Sequence, residues 1–356
     1  MAVAERQALA CGDTITQDTR LTANLAGCRR DGLVIGADGI TLDLNGHSIS
    51  GDGSGDDDVG IDLEGHAGVT IANGSVRGFS EGVFVLGADH ITIARLTSSD
   101  EGHGGITVDG SHDVAVSGDV VRDAGAGIIV TRSRSVRVAA GRISASASGG
   151  IAVFASRSVV VAGNTVTTSG DAGVGLFDGS SHSEVTGNRL SDNGAGVAAN
   201  HGASENLIAG NSLARNDSGV ILDVGTRDHR VVDNDIEASA FEGIAVVGSD
   251  GNRIARNLVA RNGAAESAGG IVVIPSPDDP AETSDANVLA GNTALRNDGD
   301  GIRVGEGQPA NLLRDNRAER NTRLGIDAAP GTIDGGGNRA AGNGDPRQCV
   351  GIACRP

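Results

Sequence analysis

The sequence predicts an all-β protein: one right-handed parallel β-helix, a solenoid of about 12 turns with 22–24 residues in each. Three observations predict it. A tetrad of Gly, then Ile or Val, then any residue, then a second apolar residue recurs almost to the end of the chain. Two columns of Asn recur in the same register. The composition, with 57 Gly, 7 Pro and abundant Val and Ile among 356 residues, suits short, tightly turned strands and not long helices.

The tetrads set the period. They read GLVI, GIDL, GVFV, GITV, GIIV, GIAV, GVGL, GVAA, GVIL, GIAV, GIVV, GIRV and GIDA. They begin at Gly32, Gly60, Gly82, Gly105, Gly127, Gly150, Gly173, Gly196, Gly219, Gly243, Gly270, Gly301 and Gly325. From Gly60 to Gly243 the spacing stays between 22 and 24 residues, room for three short strands and three corners. Strand alternation turns the two near-constant apolar positions of each tetrad inward and leaves the second and fourth residues after the Gly outside.

The first Asn column holds Asn164, Asn188, Asn211, Asn234, Asn257, Asn292, Asn316 and Asn338, and the second Asn193, Asn216, Asn262, Asn297, Asn321 and Asn343. Amides stacked at a corner bond from one turn to the next and satisfy polar groups that a tight bend leaves unpaired, so these read as structural ladders and not as ligands. A leucine-rich repeat shares the period but needs a leucine consensus that is missing. The organisation expected is an N-terminal cap over 1–31, the β-helix over 32–345 and a C-terminal tail or cap over 346–356.

Charge excludes several partners. All 28 basic residues are Arg, the formal net charge is −18, and the absence of Lys removes Schiff-base and lysine-base chemistry. Nucleic acid is not expected as a partner, and polyanionic sugars are disfavoured on the same ground. No run approaches the roughly 18 apolar residues of a membrane span. The opening MAVAERQALA has no apolar signal region, so the expected location is the cytoplasm. The four Cys lie in two terminal pairs, Cys11 with Cys28 and Cys349 with Cys354, as staples closing an exported solenoid would, which makes a secreted protein the alternative.

The opening CGDTIT, the segment GLVIGADGITLDLNGHSISG and the closing GIDAAPGTIDGGGNRAAGNGDPRQCVGIAC resemble the NosD-type parallel β-helix proteins, in particular secreted actinobacterial members. The resemblance spans nearly the whole chain. It implies the fold, an architecture shared with pectate lyases and mannuronan epimerases, which look like distant relatives. The Asp-Pro-His element of the epimerases is absent: GIDAAPG around Asp327 lacks the His.

No cofactor and no metal are expected. GDGSGDDD, with Asp52, Asp56, Asp57 and Asp58, lacks the full EF-hand pattern and reads as a solvated acidic loop. The eight His show no pair at helix-like metal spacing, though stacking of turns can bring some together, and His47 and His66 read as polar corner residues. Copper handling has little support with one Met in the chain.

The outward columns are apolar, and a contiguous exposed apolar strip marks a ligand groove or an interface such as a homodimer contact. The substrate-binding residues expected are Phe79, Phe84, Leu86, Ile129, Phe154, Phe177, Ile221, Phe241, Val247, Val272 and Ile274. AAESA near residues 264 to 268 and the stretch from Pro275 to Asp285 are expected to wall this face. Among its polar residues Asn200, Asp223 and Asp109 are the catalytic candidates, a carboxylate among apolar neighbours being a general acid or a donor to a carbonyl. Glu64, Asp62, Thr107, Thr131 and Arg303 share the columns, with Arg132, Asp178 and His201 one step on and His103, Glu81 and Asp217 on the preceding rim.

The leading expectation is an enzyme holding an apolar small molecule in this groove, a cyclase or isomerase of natural-product biosynthesis that accelerates ring closure mainly by positioning. A polysaccharide lyase or C5 epimerase is the alternative, set back by the lack of Tyr, Trp and Lys. A non-catalytic secreted scaffold is the third.

Overall fold

The computed structural model describes residues 9–53, 57–264, 269–279 and 281–356, and it is an all-β, right-handed parallel β-helix. One wall, here sheet A, stacks 15 strands in chain order from Asp13–Ile15 to Cys349–Val350. Fifteen strands one turn apart make 14 turns, two more than the tetrads suggest. The extra strands lie beyond the first and last tetrads, where no Gly-Ile-x-Val signature announces them. Both chain ends are stapled: Cys11 bonds Cys28 and Cys349 bonds Cys354, and no free cysteine remains. Paired thiols at both ends fit the secreted alternative better than the cytoplasm.

Two further walls complete each turn. Near the N-terminus the strands Thr70–Arg77 and Asp89–Ser99 bend round a corner and serve both, pairing with neighbours on either side of Asn73 and Arg95. Later turns split the same path into three-residue strands such as Val160–Ala162 and Thr165–Thr167.

The tetrad has a steric origin. A β-carbon added at Gly150 would stand 2.3 Å from the Val166 side chain and 2.8 Å from the carbonyl oxygen of Gly173 in the next turn, so only Gly lets the chain pass that close. The next inward position, as in Ile151, Val174 and Val197, is fully buried, and so is the one two further on, as in Val153 and Leu176. These stacks form one continuous core.

Each ladder Asn follows a residue in the left-handed region. Gly163, Gly187 and Gly210 precede Asn164, Asn188 and Asn211, and non-glycine Asp233 and Arg256 take the same conformation before Asn234 and Asn257. The amides hold these bends. Asn211 Oδ1 accepts the Asn188 backbone N–H at 2.9 Å and its Nδ2 at 3.0 Å, while Asn211 Nδ2 reaches the Val185 carbonyl at 2.8 Å. Every group of the buried amide is satisfied. A third ladder, Asn206, His229, Asn252, Asn287 and Asn311, runs along the corner after sheet A. Its five members are too few and too mixed to stand out as a column.

Acids extend the ladders toward the N-terminus. Asp119 Oδ1 accepts the Leu96 N–H at 2.7 Å as an Asn would, and burial pushes its carboxyl up to about 7. Glu101, four turns before Asn193 at the position of the second column, accepts the Ser99 N–H of its own turn at 2.9 Å and is pushed by burial up to about 8. The acidic loop expectation needs correction at Asp58, which is buried and caps the Ser80 N–H at 2.7 Å instead of lying in solvent. Asp56 lies outside the described residues.

Candidate active-site groove on sheet A

The outward column of sheet A runs in register through Asp62, Phe84, Thr107, Ile129, Ala152, Gly175, Ala198, Ile221, Ala245, Val272 and Arg303. Beside it runs a second column with Glu64, Leu86, Asp109, Thr131, Phe154 and Phe177. Small residues in the first column, Ala152, Gly175 and Ala198, leave a trough between larger ones. Phe154 and Phe177 stand on adjacent strands with ring centroids 5.2 Å apart and tilted by 36°.

This ring pair separates two clefts. The first, about 470 Å³, is bounded by His103, Ile129, Thr131, Ala152 and the two rings. The second, about 600 Å³, is bounded by the same rings with Asp178, Asn200, His201, Ile221 and Asp223. Asp171 borders both, so the two form one trough across several turns.

Polar groups converge on the first cleft. His103 Nδ1 faces Glu81 Oε1, and Thr107 Oγ1 donates to Glu81 Oε2 at 2.6 Å. The Glu81 side chain is only 14% exposed while His103 is 67% exposed, so a covered carboxylate anchors an accessible imidazole. With Nδ1 donating to Glu81, Nε2 is the free basic nitrogen. A Cβ at Gly104 would stand 2.5 Å from Glu81 Oε2, so this glycine makes room for the carboxylate. Farther along the second column Arg132 Nη2 pairs with Asp109, whose other oxygen is buried without a partner.

The expected site residues divide. Ile129, Phe154, Phe177, Ile221, Asn200 and Asp223 line the trough. Asn200 Oδ1 accepts the His201 N–H at 2.6 Å and Asp223 Oδ1 the Val224 N–H at 2.8 Å, so both present their remaining polar atoms. Asp109 is tied to Arg132 and lies outside both cleft linings, as do Phe84, Leu86, Val247, Val272 and Ile274. Val272 is on the outer face yet 5% exposed, covered by its neighbours.

Phe79 is a correction. It is 3% exposed and belongs to the core, its ring against Gly51 and Gly60, because the corner before sheet A turns that position inward. Phe241, at the equivalent approach to Gly243, is half-buried outside both cleft linings. The outer-face carboxyl with a raised value is Asp62, lifted to about 6 by burial and by the charge of Glu64. The stretch after Ile274 folds back over the corner beyond sheet A, with Ser276 N–H donating to the Glu282 carbonyl at 2.9 Å and Ser284 Oγ to that of Ile274 at 2.8 Å. Of AAESA, Ala264 alone lies within the described residues.

The sequence matches the family model described as periplasmic copper-binding protein (NosD) over residues 45–227, 180–276 and 218–334. No curated protein matches it. Among solved structures it is similar to a mutant of the periplasmic alginate epimerase AlgG, at 16% identity and TM-score 0.68, covering 80% of this chain and 76% of that one. It is also similar to the A-module of the mannuronan C-5 epimerase AlgE4 of Azotobacter vinelandii, at 16% identity and TM-score 0.56, covering 97% of this chain and 91% of that one. At these identities the likeness is one of fold.

Proposed function

The chain belongs to the NosD family, and from that premise we propose that it is a glycan-modifying enzyme of the C5-epimerase or lyase kind, working outside the cytoplasm on a uronate-containing strand laid along the sheet A trough. The observation that carries this reading is that a histidine anchored by a covered carboxylate and a tilted phenylalanine pair border the same cleft.

Each part has a role in C5 chemistry. His103 Nε2 takes the proton from the carbon next to the uronate carboxylate, with Glu81 stabilising the imidazolium. Arg132, held by Asp109 at the other end of the same strands and outside both clefts, meets a polymer carboxylate away from the reacting carbon. Phe154 and Phe177 give an apolar platform for a sugar ring, and Asn200 and Asp223 offer hydrogen bonds to hydroxyls at the neighbouring subsite. Delivery of a proton from water to the opposite face gives the epimer, and loss of the O4 substituent, protonated as it leaves by the imidazolium of His103, gives an unsaturated uronate. Support from the fold comes from the alginate epimerases to which the chain is similar.

The test is incubation with polymannuronate, mixed alginate and pectate in deuterated buffer, reading C5 exchange by proton NMR and unsaturated uronate by absorbance. Exchange or elimination is expected, falling at least 100-fold in His103→Ala, with KM raised in Arg132→Ala. No exchange and no unsaturated product from any of the three polymers overturns the reading.

The apolar floor of Ile129, Ala152, Ala198 and Ile221 favours a second reading, a cyclase or isomerase for an apolar small molecule. It becomes the leading one if the uronate polymers are inert.

A further inference from the structure

Along the solenoid an Arg repeatedly pairs with an acid one turn earlier: Arg132 with Asp109, Arg215 with Asp192, Arg256 with Asp233 and Arg261 with Glu237. The corner beyond the far rim of the trough breaks this pattern. Its bridge column runs His112, Arg134, Arg157, Ser181, so Arg157 stands in register on Arg134 and Arg134 on an imidazole. Arg137, three residues past Arg134, begins the next wall.

Arg134, Arg137 and Arg157 are exposed, and among the described residues their guanidinium groups make no ion pair and donate no hydrogen bond. Acids at the neighbouring corners are engaged elsewhere, Asp113 with His112 and Asp178 with His201. Turns stack about 4.8 Å apart, so Arg134 and Arg157 set like charges side by side, an unfavourable arrangement that an anion bridging both relieves. In a chain of net charge −18 this corner is a cationic island. It is also continuous with the trough. Thr131 and Phe154 border the first cleft, and each precedes its Arg, Arg134 or Arg157, by three residues on the same turn.

We propose that Arg134 and Arg157, with Arg132 and Arg137 beside them, form an anion-binding subsite that holds carboxylate or sulfate groups of an acidic glycan strand where it leaves the first cleft. A guanidinium fork binds such a group through two parallel hydrogen bonds, and two forks one turn apart share one group or take two successive ones. The cationic strip covers only these turns, and the rest of an acidic surface repels the dense phosphate charge of a nucleic acid, so the occupant is a glycan. The subsite rests on the reading of an acidic strand in the trough but not on the chemistry at His103. Strands such as Ala126–Thr131 separate the two, and six residues span roughly 17–20 Å. The group held at this corner therefore belongs to a sugar several units from the reacting one, and the corner selects polymer over monomer.

Fluorescence polarisation at fixed ionic strength tests it, with end-labelled oligomannuronate long enough to cross the sheet, a sulfated dextran oligomer, a neutral dextran oligomer and a single-stranded oligonucleotide as probes. At least one acidic oligomer is expected to bind, and the tighter of the two identifies the acidic group. The Arg134→Gln, Arg157→Gln double variant weakens that binding at least tenfold with its melting curve unchanged, whereas Arg189→Gln, an exposed Arg on another wall, leaves it as in the parent. The proposal is overturned if neither acidic oligomer binds, if the double variant binds as the parent does, if Arg189→Gln weakens binding as much, if neutral dextran binds as tightly, or if the oligonucleotide binds more tightly than both glycans. Arg-dependent binding without C5 exchange or elimination sinks the reaction and keeps the subsite; turnover with binding that ignores both Arg does the reverse.

Discussion

The ring of Phe177 lies across the α-carbon of Gly175: a β-carbon built on that glycine would stand 2.1 Å from Cε2 and 2.3 Å from Cζ of the ring. The glycine is therefore what lets the ring lie down beside Phe154, between the two clefts.

Gly175→Ala is expected to lift the Phe177 ring and narrow the trough while leaving the core intact. For substrates spanning both clefts KM rises at least fivefold and thermal stability changes by less than about 1 kcal/mol, as for a surface substitution. Phe177→Ala gives a similar rise. Steady-state kinetics of both variants beside a melting curve check this, and an unchanged KM in both removes the ring pair from the binding site.

A net charge of −18 repels a polyuronate at long range, whatever Arg132 contributes locally. Raising ionic strength from about 10 mM to about 150 mM shortens the screening length from roughly 30 Å to roughly 8 Å. KM for a uronate polymer is therefore expected to fall as salt rises over this range. A neutral glycan shows no such trend, so the salt profile separates the two substrate classes.

Glu101 and Asp119 make the solenoid less stable in base. Burial raises both above their ordinary values of 4.5 and 3.8, to about 8 and about 7. The unfolded chain loses these protons first. Stability is full below about pH 4 and declines as pH rises, up to about 8 for Glu101 and 7 for Asp119, by roughly 1.4 kcal/mol per unit per group at the steepest. Glu101→Gln and Asp119→Asn keep the shape without the proton, and Asn already fills the later positions of the Asp119 column. Denaturation midpoints between pH 4 and 9 should flatten in the double variant; a profile as steep as the parent's would contradict the assignment.

His229 acts in the opposite direction. It accepts the Asn206 N–H on Nδ1 at 3.3 Å, and burial depresses it from 6.5 to about 4, so the folded chain holds it neutral. Its contribution is intact above about pH 6.5 and is lost as pH falls toward 4. His229→Asn restores the residue type of its ladder neighbours Asn206 and Asn252 and gives Nε2, buried without a partner, no successor. Midpoints at pH 5 are expected to rise relative to the parent while those at pH 8 hold, and a drop at both would show that the imidazole fills space an amide cannot.

What the sequence determined by itself is everything that repeats. A period of 22 to 24 residues, a Gly where two turns nearly touch, alternating apolar positions and two Asn columns were legible because each turn obeys the same local constraints as the next. The outer position of Phe154 and Phe177 followed from that alternation alone. Corners obey no such rule. Tertiary structure decided that Phe79 turns into the core, that Asp58 caps a backbone N–H, and that the chain makes 14 turns with a plain strand at each end. It alone placed His103 on Glu81, Arg132 on Asp109 and His112 beside Asp89. These partners are 22 or 23 residues apart and touch only because stacking sets one turn on the next, at a register that a single residue gained or lost at a corner would shift.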